Sequence, residues 1–199
     1  LLSAHYDGLG LLDGVPAEGA ADNAAGVACV LWVAERLAKL SATTRLRRPV
    51  VVALFGAEEM GLLGSTQFAA IVASGASPIA KPLAAVNLDG IGSHADREVF
   101  LVGRTHAPNL LGRFERALEG TGLRLGRDID RFAFERGSDH WPLHRIGVPA
   151  VTVFSADYRA MNTSRDTIAA IDAELVRATA RAALAFVRSL ATAETLELP

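Results

Sequence analysis

Five apolar segments of strand length alternate along this chain with three amphipathic segments of helical length. The strand-like segments are residues 1–6, 49–56, 83–89, 97–103 and 148–154. Most of them lack the polar–apolar alternation of a half-exposed strand, which indicates that both faces of the sheet are covered. Strands that alternate with helices are typical of an α/β domain with a mainly parallel sheet. We therefore predict a three-layer α/β/α fold with a mostly parallel central sheet.

The three helical segments are residues 23–40, 107–120 and 173–190. The last of them follows Asp172, which we predict to be its N-cap, and its three arginines should face outward. The apolar positions expected to face the core in the first two segments are Val27, Val30, Leu31, Ala34 and Leu37, then Leu110, Leu111, Phe114 and Leu118.

The composition fits one globular domain and narrows the range of partners. Hydrophobic residues make up 50% and charged residues 21% of the 199 positions, which is enough for a sizeable core. With a net charge of −2, nothing indicates nucleic acid or an anionic membrane as a partner. The longest nearly unbroken apolar run, residues 24–34, is shorter than the roughly 20 residues that span a bilayer. The single cysteine, Cys29, says little about the compartment, and the sequence indicates no oligomeric state.

The sequence begins within an apolar segment that has the pattern of a strand. Residue 1 is a leucine rather than a methionine, so we expect residues 1–199 to be one domain that lacks its N-terminal segment. A targeting segment upstream would be compatible with a secreted or periplasmic location.

Polar side chains gather where strands end and where the first helix begins. They are His5, Asp7, Asp22, Asn23, Glu58, Glu59 and Asp89. Taken singly, each has an ordinary explanation as a helix cap, a turn residue or a satisfied core histidine. Because the carboxyl ends of parallel strands meet at one edge of a sheet, these side chains together would crowd that edge with buried negative charge, which is costly. A divalent cation would relieve that cost, and imidazole and carboxylate are ligands of zinc.

The adjacent carboxylates Glu58 and Glu59 fit such a site in a particular way. One of the pair can bind the metal while the other stays free beside it. The free carboxylate could then act as a general base in hydrolysis.

Five motifs in order carry a resemblance to a known family. They read SAHYDGLG, GAADNAAGVA, LFGAEEMGLLGS, NLDGIG and GSDHWPLHRIGVPAV, and the resemblance covers residues 3 to about 172. Each motif alone is weak, but the ordered set resembles the dinuclear zinc aminopeptidases of the bacterial leucyl aminopeptidase type, which are related to glutamate carboxypeptidases and glutaminyl cyclases. The resemblance implies a zinc-exopeptidase-like (phosphorylase/hydrolase-like) fold, a peptide or aminoacyl substrate and metal-assisted amide hydrolysis.

The resemblance also implies the metal ligands. It places His5 and Glu59 on one zinc, with Asp22 bridging to a second zinc that Asp89 holds. These four residues are the metal ligands that we expect from the sequence.

Other residues match the family's catalytic and substrate-binding positions. Glu58 matches the general base, and Asp7 matches the carboxylate that orients the imidazole of a ligand histidine. Ser138, Asp139 and His140 fall where the family builds its substrate pocket wall. Capping of the following helix explains Ser138 or Asp139 about as well.

The chain departs from the family at the last histidine ligand. In the stretch YRAMNTSRDT, Asn162 stands four residues before the Asp166-Thr167 pair, where the family has a histidine. An insertion would put Arg159 there instead, and His140 or His144 could substitute only if the local chain path differs. An amide oxygen is a poor zinc ligand beside imidazole, so we expect one tight zinc and a second that is weak or absent.

Three functional interpretations stay open on the sequence. The first is a zinc aminopeptidase with an altered second site, the second a single-zinc acyltransferase similar to glutaminyl cyclases, and the third a non-catalytic binding module with a peptidase-like fold. The spacing of His5 and Asp7 and the motif around Asp22 favour the peptidase. The presence of both Glu58 and Glu59 disfavours an inactive domain, which has no chemical need for a free base.

Substrate polarity is left open as well. An aminopeptidase needs an acidic pocket for the α-amine, whereas a carboxypeptidase needs a basic one for the carboxylate. The arginines in candidate loops are Arg131, Arg136, Arg159 and Arg165, and the sequence does not place them.

Overall fold

The computed structural model describes residues 1–130 and 134–196, so Arg131 lies outside the described residues. The strands are β1 (Leu2–His5), β2 (Leu11–Leu12), β3 (Val15–Pro16), β4 (Val52–Phe55), β5 (Ala85–Leu88), β6 (Glu98–Val102), β7 (Arg124–Leu125) and β8 (Ala150–Phe154). The helices are α1 (Ala25–Ser41), α2 (Leu63–Ala73), α3 (Pro108–Leu118), α4 (His140–Arg145) and α5 (Ala173–Thr192). A π-helical turn (Ala20–Ala24) precedes α1, and 3₁₀ turns cover Phe134–Arg136 and Ile168–Ala170.

The central sheet has six strands in the order β4-β1-β5-β8-β6-β7. Neighbouring strands run parallel except β6, which is antiparallel to β8. β2 and β3 form a separate antiparallel hairpin. The prediction of a mostly parallel sheet is therefore confirmed.

Helices cover both faces of this sheet. Along β5, Val86 and Leu88 join the main core with α1, α3 and α5, whereas Ala85 packs in a second cluster with Ala69 of α2 and Leu143 of α4. Successive residues of a strand point to opposite faces, so this alternation defines two helical layers around the sheet. The three-layer α/β/α prediction is confirmed.

The helix predictions hold with one correction. Asp172 caps α5 as expected, because its carboxylate accepts hydrogen bonds from the backbone N–H of Glu174 at 2.8 Å and of Leu175 at 3.1 Å. Leu31 does not face the core and is 53% exposed. The buried residues of α1 lie on the helical face that contains Val30 and Val33. Leu31 lies about 100° further round the helix than Val30 and therefore faces away from the core.

The strand order places the polar side chains at one edge of the sheet. β1 lies between β4 and β5, and all three are parallel. His5 is the last residue of β1, Asp89 directly follows β5, and Glu58 follows the end of β4. These groups therefore meet at the carboxyl edge.

Within the described part of the chain, none of the helices combines the length and apolar character that crossing a bilayer requires.

Candidate metal centre

Three buried side chains converge at the carboxyl edge of the sheet. Nε2 of His5 lies 2.9 Å from Oδ1 of Asp22 and 3.1 Å from Oδ1 of Asp89. Each residue offers one ligand atom, and these atoms all lie within 4.8 Å of one another. Such a set of one imidazole and two carboxylates matches the ligands that zinc takes.

The electrostatics of this group favour a positive charge between the carboxylates. Burial alone would lower the pKa of His5, but the contacts of its ring with Asp22 and Asp89 outweigh burial and raise the pKa to about 12. Burial raises the pKa of Asp22, and the negative charge of Asp89 adds to this effect. A divalent cation would take the place of the imidazolium proton and satisfy both carboxylates, so the residues fit a metal ion.

The grouping of ligands differs from the one that the resemblance implied. The structure brings His5 together with Asp89, whereas the sequence motifs had paired His5 with Glu59. The reason is geometric: Asp89 is the first residue after a strand adjacent to β1, whereas Glu59 lies four residues beyond Phe55, the last residue of β4. Glu59 lines the same cavity as Asp22 and Asp89 without belonging to the three-residue group.

Asp7 holds the segment that carries the paired glutamates. Its carboxylate accepts hydrogen bonds from the backbone N–H of Glu58 at 3.1 Å and of Glu59 at 3.2 Å. Its Oδ1 also lies 3.5 Å from Nδ1 of His5. Asp7 thus links the imidazole to the glutamate turn.

A cavity of about 600 Å³ opens above the three-residue group. Its acidic lining comprises Asp22, Glu58, Glu59 and Asp89. The apolar residues of its lining are Leu62, Val102, Phe134, Phe154 and Met161. A second cavity of about 580 Å³ lies at the other end of the sheet, around Leu1, Pro49 and Ala84, far from these carboxylates.

The paired glutamates have shifted acidities in this cavity. Burial, followed by the charge of Asp89, raises the pKa of Glu58 to about 9. Burial, followed by the charge of Asp22, raises the pKa of Glu59 to about 7. Both shifts express the same physical fact, which is an excess of negative charge in a partly dehydrated space.

Of the three residues predicted to form the pocket wall, only Ser138 is among those that line the cavity. Its hydroxyl donates to Oδ2 of Asp89 at 2.5 Å. Asp139 and His140 are buried and do not line the cavity, because α4 begins at His140 and packs against the sheet. The expectation of a wall built from all three residues is therefore corrected to Ser138 alone.

These two buried residues have environments of their own. Nδ1 of His140 lies 2.8 Å from Oγ1 of Thr152, and burial lowers the pKa of His140 to about 4. Burial raises the pKa of Asp139 to about 6, and the nearby hydroxyl of Ser65 opposes part of this shift.

Asn162 lies beside the acidic lining, where the missing histidine was expected. It borders the main cavity and a narrow cleft that it shares with Asp22 and Glu59. His144 instead stacks on His106 at a centroid distance of 4.3 Å, and neither ring is among the residues that line the cavity.

Asp166 is a positioning residue that sequence reasoning missed. Its carboxylate accepts hydrogen bonds from the backbone N–H of Ala21 at 2.7 Å and of Asp22 at 3.0 Å. It therefore ties the turn that carries Asp22 to the loop that carries Asn162. The only sequence signal was its place in the Asp166-Thr167 pair, which had served as a landmark alone.

We expect Asp166→Asn to weaken zinc binding by about 10- to 100-fold, the range typical of residues that orient metal ligands. An asparagine keeps one acceptor oxygen, but its NH₂ group would face a backbone N–H and release one side of the turn. Calorimetric titration of zinc into the chelated protein measures this affinity.

Asp130→Asn is the matched control for this substitution. Asp130 is buried to the same degree, 5% exposed against 4% for Asp166, and it accepts from the backbone N–H of Gly103 and Thr105 in a different loop. Both variants should lose thermal stability, and only Asp166→Asn should lose zinc affinity. Equal zinc affinities in the two variants would contradict the positioning role.

Comparison with known proteins identifies one family and several solved structures with a similar fold. The model of Peptidase family M28 matches residues 1–187. The LapA aminopeptidase of Legionella pneumophila superposes with a TM-score of 0.78 at 21% identity, over 98% of this chain and 51% of that one. BSAP, a zinc aminopeptidase from Bacillus subtilis, gives a TM-score of 0.71 at 20% identity, over 97% and 46%.

A glutaminyl cyclase from Fimbriiglobus ruber has the same fold, with a TM-score of 0.77 at 24% identity over 94% of this chain and 70% of that one. No curated protein matches the sequence in a direct comparison. At these identities the likeness shows the fold. This chain spans about half the length of the two aminopeptidase structures.

Proposed function

Because this chain belongs to Peptidase family M28, we propose that it is a zinc-dependent aminopeptidase that removes the N-terminal residue of a peptide. The observation that carries the proposal is the group of His5, Asp22 and Asp89 at the base of an acidic cavity that also holds Glu58. Two proteins with this fold, LapA and BSAP, are aminopeptidases, and BSAP is a zinc enzyme.

We assign the tight zinc to His5, Asp22 and Asp89. A weaker second metal would share Asp22 and contact Glu59 and Asn162, which border the same cleft. Zinc bound here would polarise the scissile carbonyl and lower the pKa of a water molecule. The amide of Asn162 in place of an imidazole is the reason why we expect the two sites to differ in affinity.

Glu58 is the proposed general base. It lines the cavity without belonging to the three-ligand group, so its carboxylate is free to take a proton from the attacking water and to return it to the leaving amine. Its pKa of about 9 reflects burial among other carboxylates, and a positive charge beside Asp22 and Asp89 would lower that pKa towards neutrality.

The charge of the cavity favours an amino-terminal substrate. Glu58 and Glu59 line it outside the three-ligand group, so the tight zinc would not neutralise them directly, and an ionised carboxylate there attracts an α-ammonium group and repels a C-terminal carboxylate. The apolar residues of the lining could contact a hydrophobic side chain of the substrate.

A second candidate is a glutaminyl-cyclase-like acyltransferase with a single zinc. It is favoured by one observation: among the described residues, His5, Asp22 and Asp89 form the only group of three or more potential ligands. The same residues would then hold the metal, but an N-terminal glutamine would cyclise instead of being hydrolysed.

Three substrates separate these functions. With zinc present, we expect hydrolysis of leucyl-p-nitroanilide, no hydrolysis of its N-acetyl derivative, and loss of activity on chelation with recovery on adding zinc. Cleavage of the acetylated compound would contradict an aminopeptidase. Cyclisation of a glutaminyl peptide, detected by mass spectrometry, would instead support the acyltransferase. A protein that binds zinc yet turns over none of these compounds would be a binding module.

A further inference from the structure

Arg136 is an isolated positive charge in the acidic cavity. Among the described residues that line the cavity, it is the only arginine or lysine, against four carboxylates. It ends the 3₁₀ turn Phe134–Arg136, which leads directly into the cavity wall at Ser138.

The guanidinium of Arg136 is held by an aromatic ring and not by an acid. It lies over the ring of Trp141 at 5.0 Å from the centroid. The adjacent Glu135 pairs with His106, and no carboxylate within the described ranges forms a salt bridge with Arg136. Stacking on an aromatic face orients a guanidinium while its edge N–H donors stay available.

Arg136 is also close in the chain to a residue that contacts one of the proposed metal ligands. It stands two residues before Ser138, whose hydroxyl donates to Asp89. Consecutive Cα atoms are about 3.8 Å apart, so the Cα atoms of Arg136 and Ser138 are separated by no more than about 7 Å. Arg136 therefore belongs to the same short segment of the cavity wall as Ser138, which contacts Asp89.

The other candidate arginines have different surroundings. Arg159 lies over the ring of Tyr158 at 5.8 Å, and Arg165 donates to the carbonyl oxygen of Arg159. Neither is among the residues that line the cavity. Of the described arginines, Arg136 is therefore the one placed to meet a substrate.

We propose that Arg136 binds a carboxylate of the substrate beyond the scissile bond, so that this site prefers peptides that carry one there. The proposal rests on the aminopeptidase function proposed above. A planar guanidinium with free edge donors matches a carboxylate in two parallel hydrogen bonds. That carboxylate is either the C-terminus of a short peptide or an acidic side chain in the second residue, with the N-terminal ammonium directed to the acidic lining.

Two peptide pairs distinguish the two sources of the carboxylate. Leu-Gly and Leu-Gly-amide differ in the C-terminal charge alone, and Leu-Glu-amide and Leu-Gln-amide differ in the side-chain charge alone. We expect kcat/KM to favour the charged member of at least one pair by about tenfold or more, the effect of a charge-assisted hydrogen bond. Arg136→Gln should abolish this preference through KM, so that the charged and neutral members of each pair have similar kcat/KM, and Arg136→Lys should retain part of it.

Arg181→Gln is the control, because Arg181 is exposed on α5 and is not among the cavity residues. It should keep the full preference. A preference that survives in Arg136→Gln, or no preference in the unmodified protein for either pair, would overturn the proposal.

Binding of the same peptides, measured by calorimetry with the zinc-loaded Glu58→Gln protein, tests Arg136 without turnover. If the unmodified enzyme hydrolyses none of the peptides but the charged members bind more tightly and lose that advantage in the Glu58→Gln/Arg136→Gln double variant, then the aminopeptidase function fails and the carboxylate site stands. If hydrolysis occurs without a charge preference, then the carboxylate site fails and the aminopeptidase function stands.

Discussion

Glu58→Gln should lower kcat by about 10²- to 10⁴-fold while the protein keeps its tight metal. Glutamine has nearly the same shape as glutamate, but its amide cannot take a proton from water. Because Glu58 lines the cavity outside the three-ligand group, the substitution removes the proton carrier and leaves His5, Asp22 and Asp89 in place. Steady-state kinetics and metal analysis of the same purified sample measure the two effects together.

Two other substitutions of glutamate are compared with Glu58→Gln. Glu59→Gln should reduce the affinity of the second metal, because Glu59 borders the cleft with Asp22 and Asn162. Glu115→Gln, at an exposed position of α3, should change neither activity nor metal content. If Glu58→Gln lost the metal while Glu59→Gln kept both metals and lost turnover, the roles within the pair would be reversed.

Asn162→His should tighten the second metal site by more than about tenfold and raise activity. The backbone at position 162 has φ of +56°, and histidine is one of the residue types enriched in this left-handed region, so the loop can accept it. The imidazole would then lie beside Asp22 and Glu59, which supply charge but leave the site without an imidazole ligand. Zinc titration of the chelated protein should change from unequal sites to two tighter ones.

Asn162→Gln is the matched control, because it keeps an amide and adds no imidazole. It should leave the second site as weak as in the unmodified protein. Two equally tight sites before any substitution would show that another residue already completes the second site. A gain in activity without a gain in second-site affinity would also contradict this interpretation.

The pattern of apolar segments was enough to predict the layered sheet, because buried parallel strands leave a continuous hydrophobic signal. The strand β7 was missed, since Arg124 and Leu125 are too short and polar to give such a signal. The helix α2 was missed for another reason: its apolar residues do not gather on one helical face, and Gly64 stands near its start.

The sequence indicated which residues gather at the candidate site, but not which of their side chains approach one another. His5, Asp22 and Asp89 could be found because each follows a strand or precedes a helix. Which of them meet depends on the lateral order of strands, and that order is decided by packing between distant segments. Asp166 was beyond sequence reasoning because it acts on backbone N–H groups, which every residue except proline carries.

The hydrogen bonds that the carboxylate of Asp166 accepts from the backbone N–H of Ala21 and Asp22 join positions 145 and 144 residues apart. During synthesis Asp22 leaves the ribosome well before Asp166, which follows all six strands of the central sheet in the chain. Contacts between such distant positions form slowly, because a large loop must close first. A nascent or half-folded chain therefore lacks the hydrogen bonds that hold the turn around Asp22, and we expect affinity for a metal ion to develop late in folding.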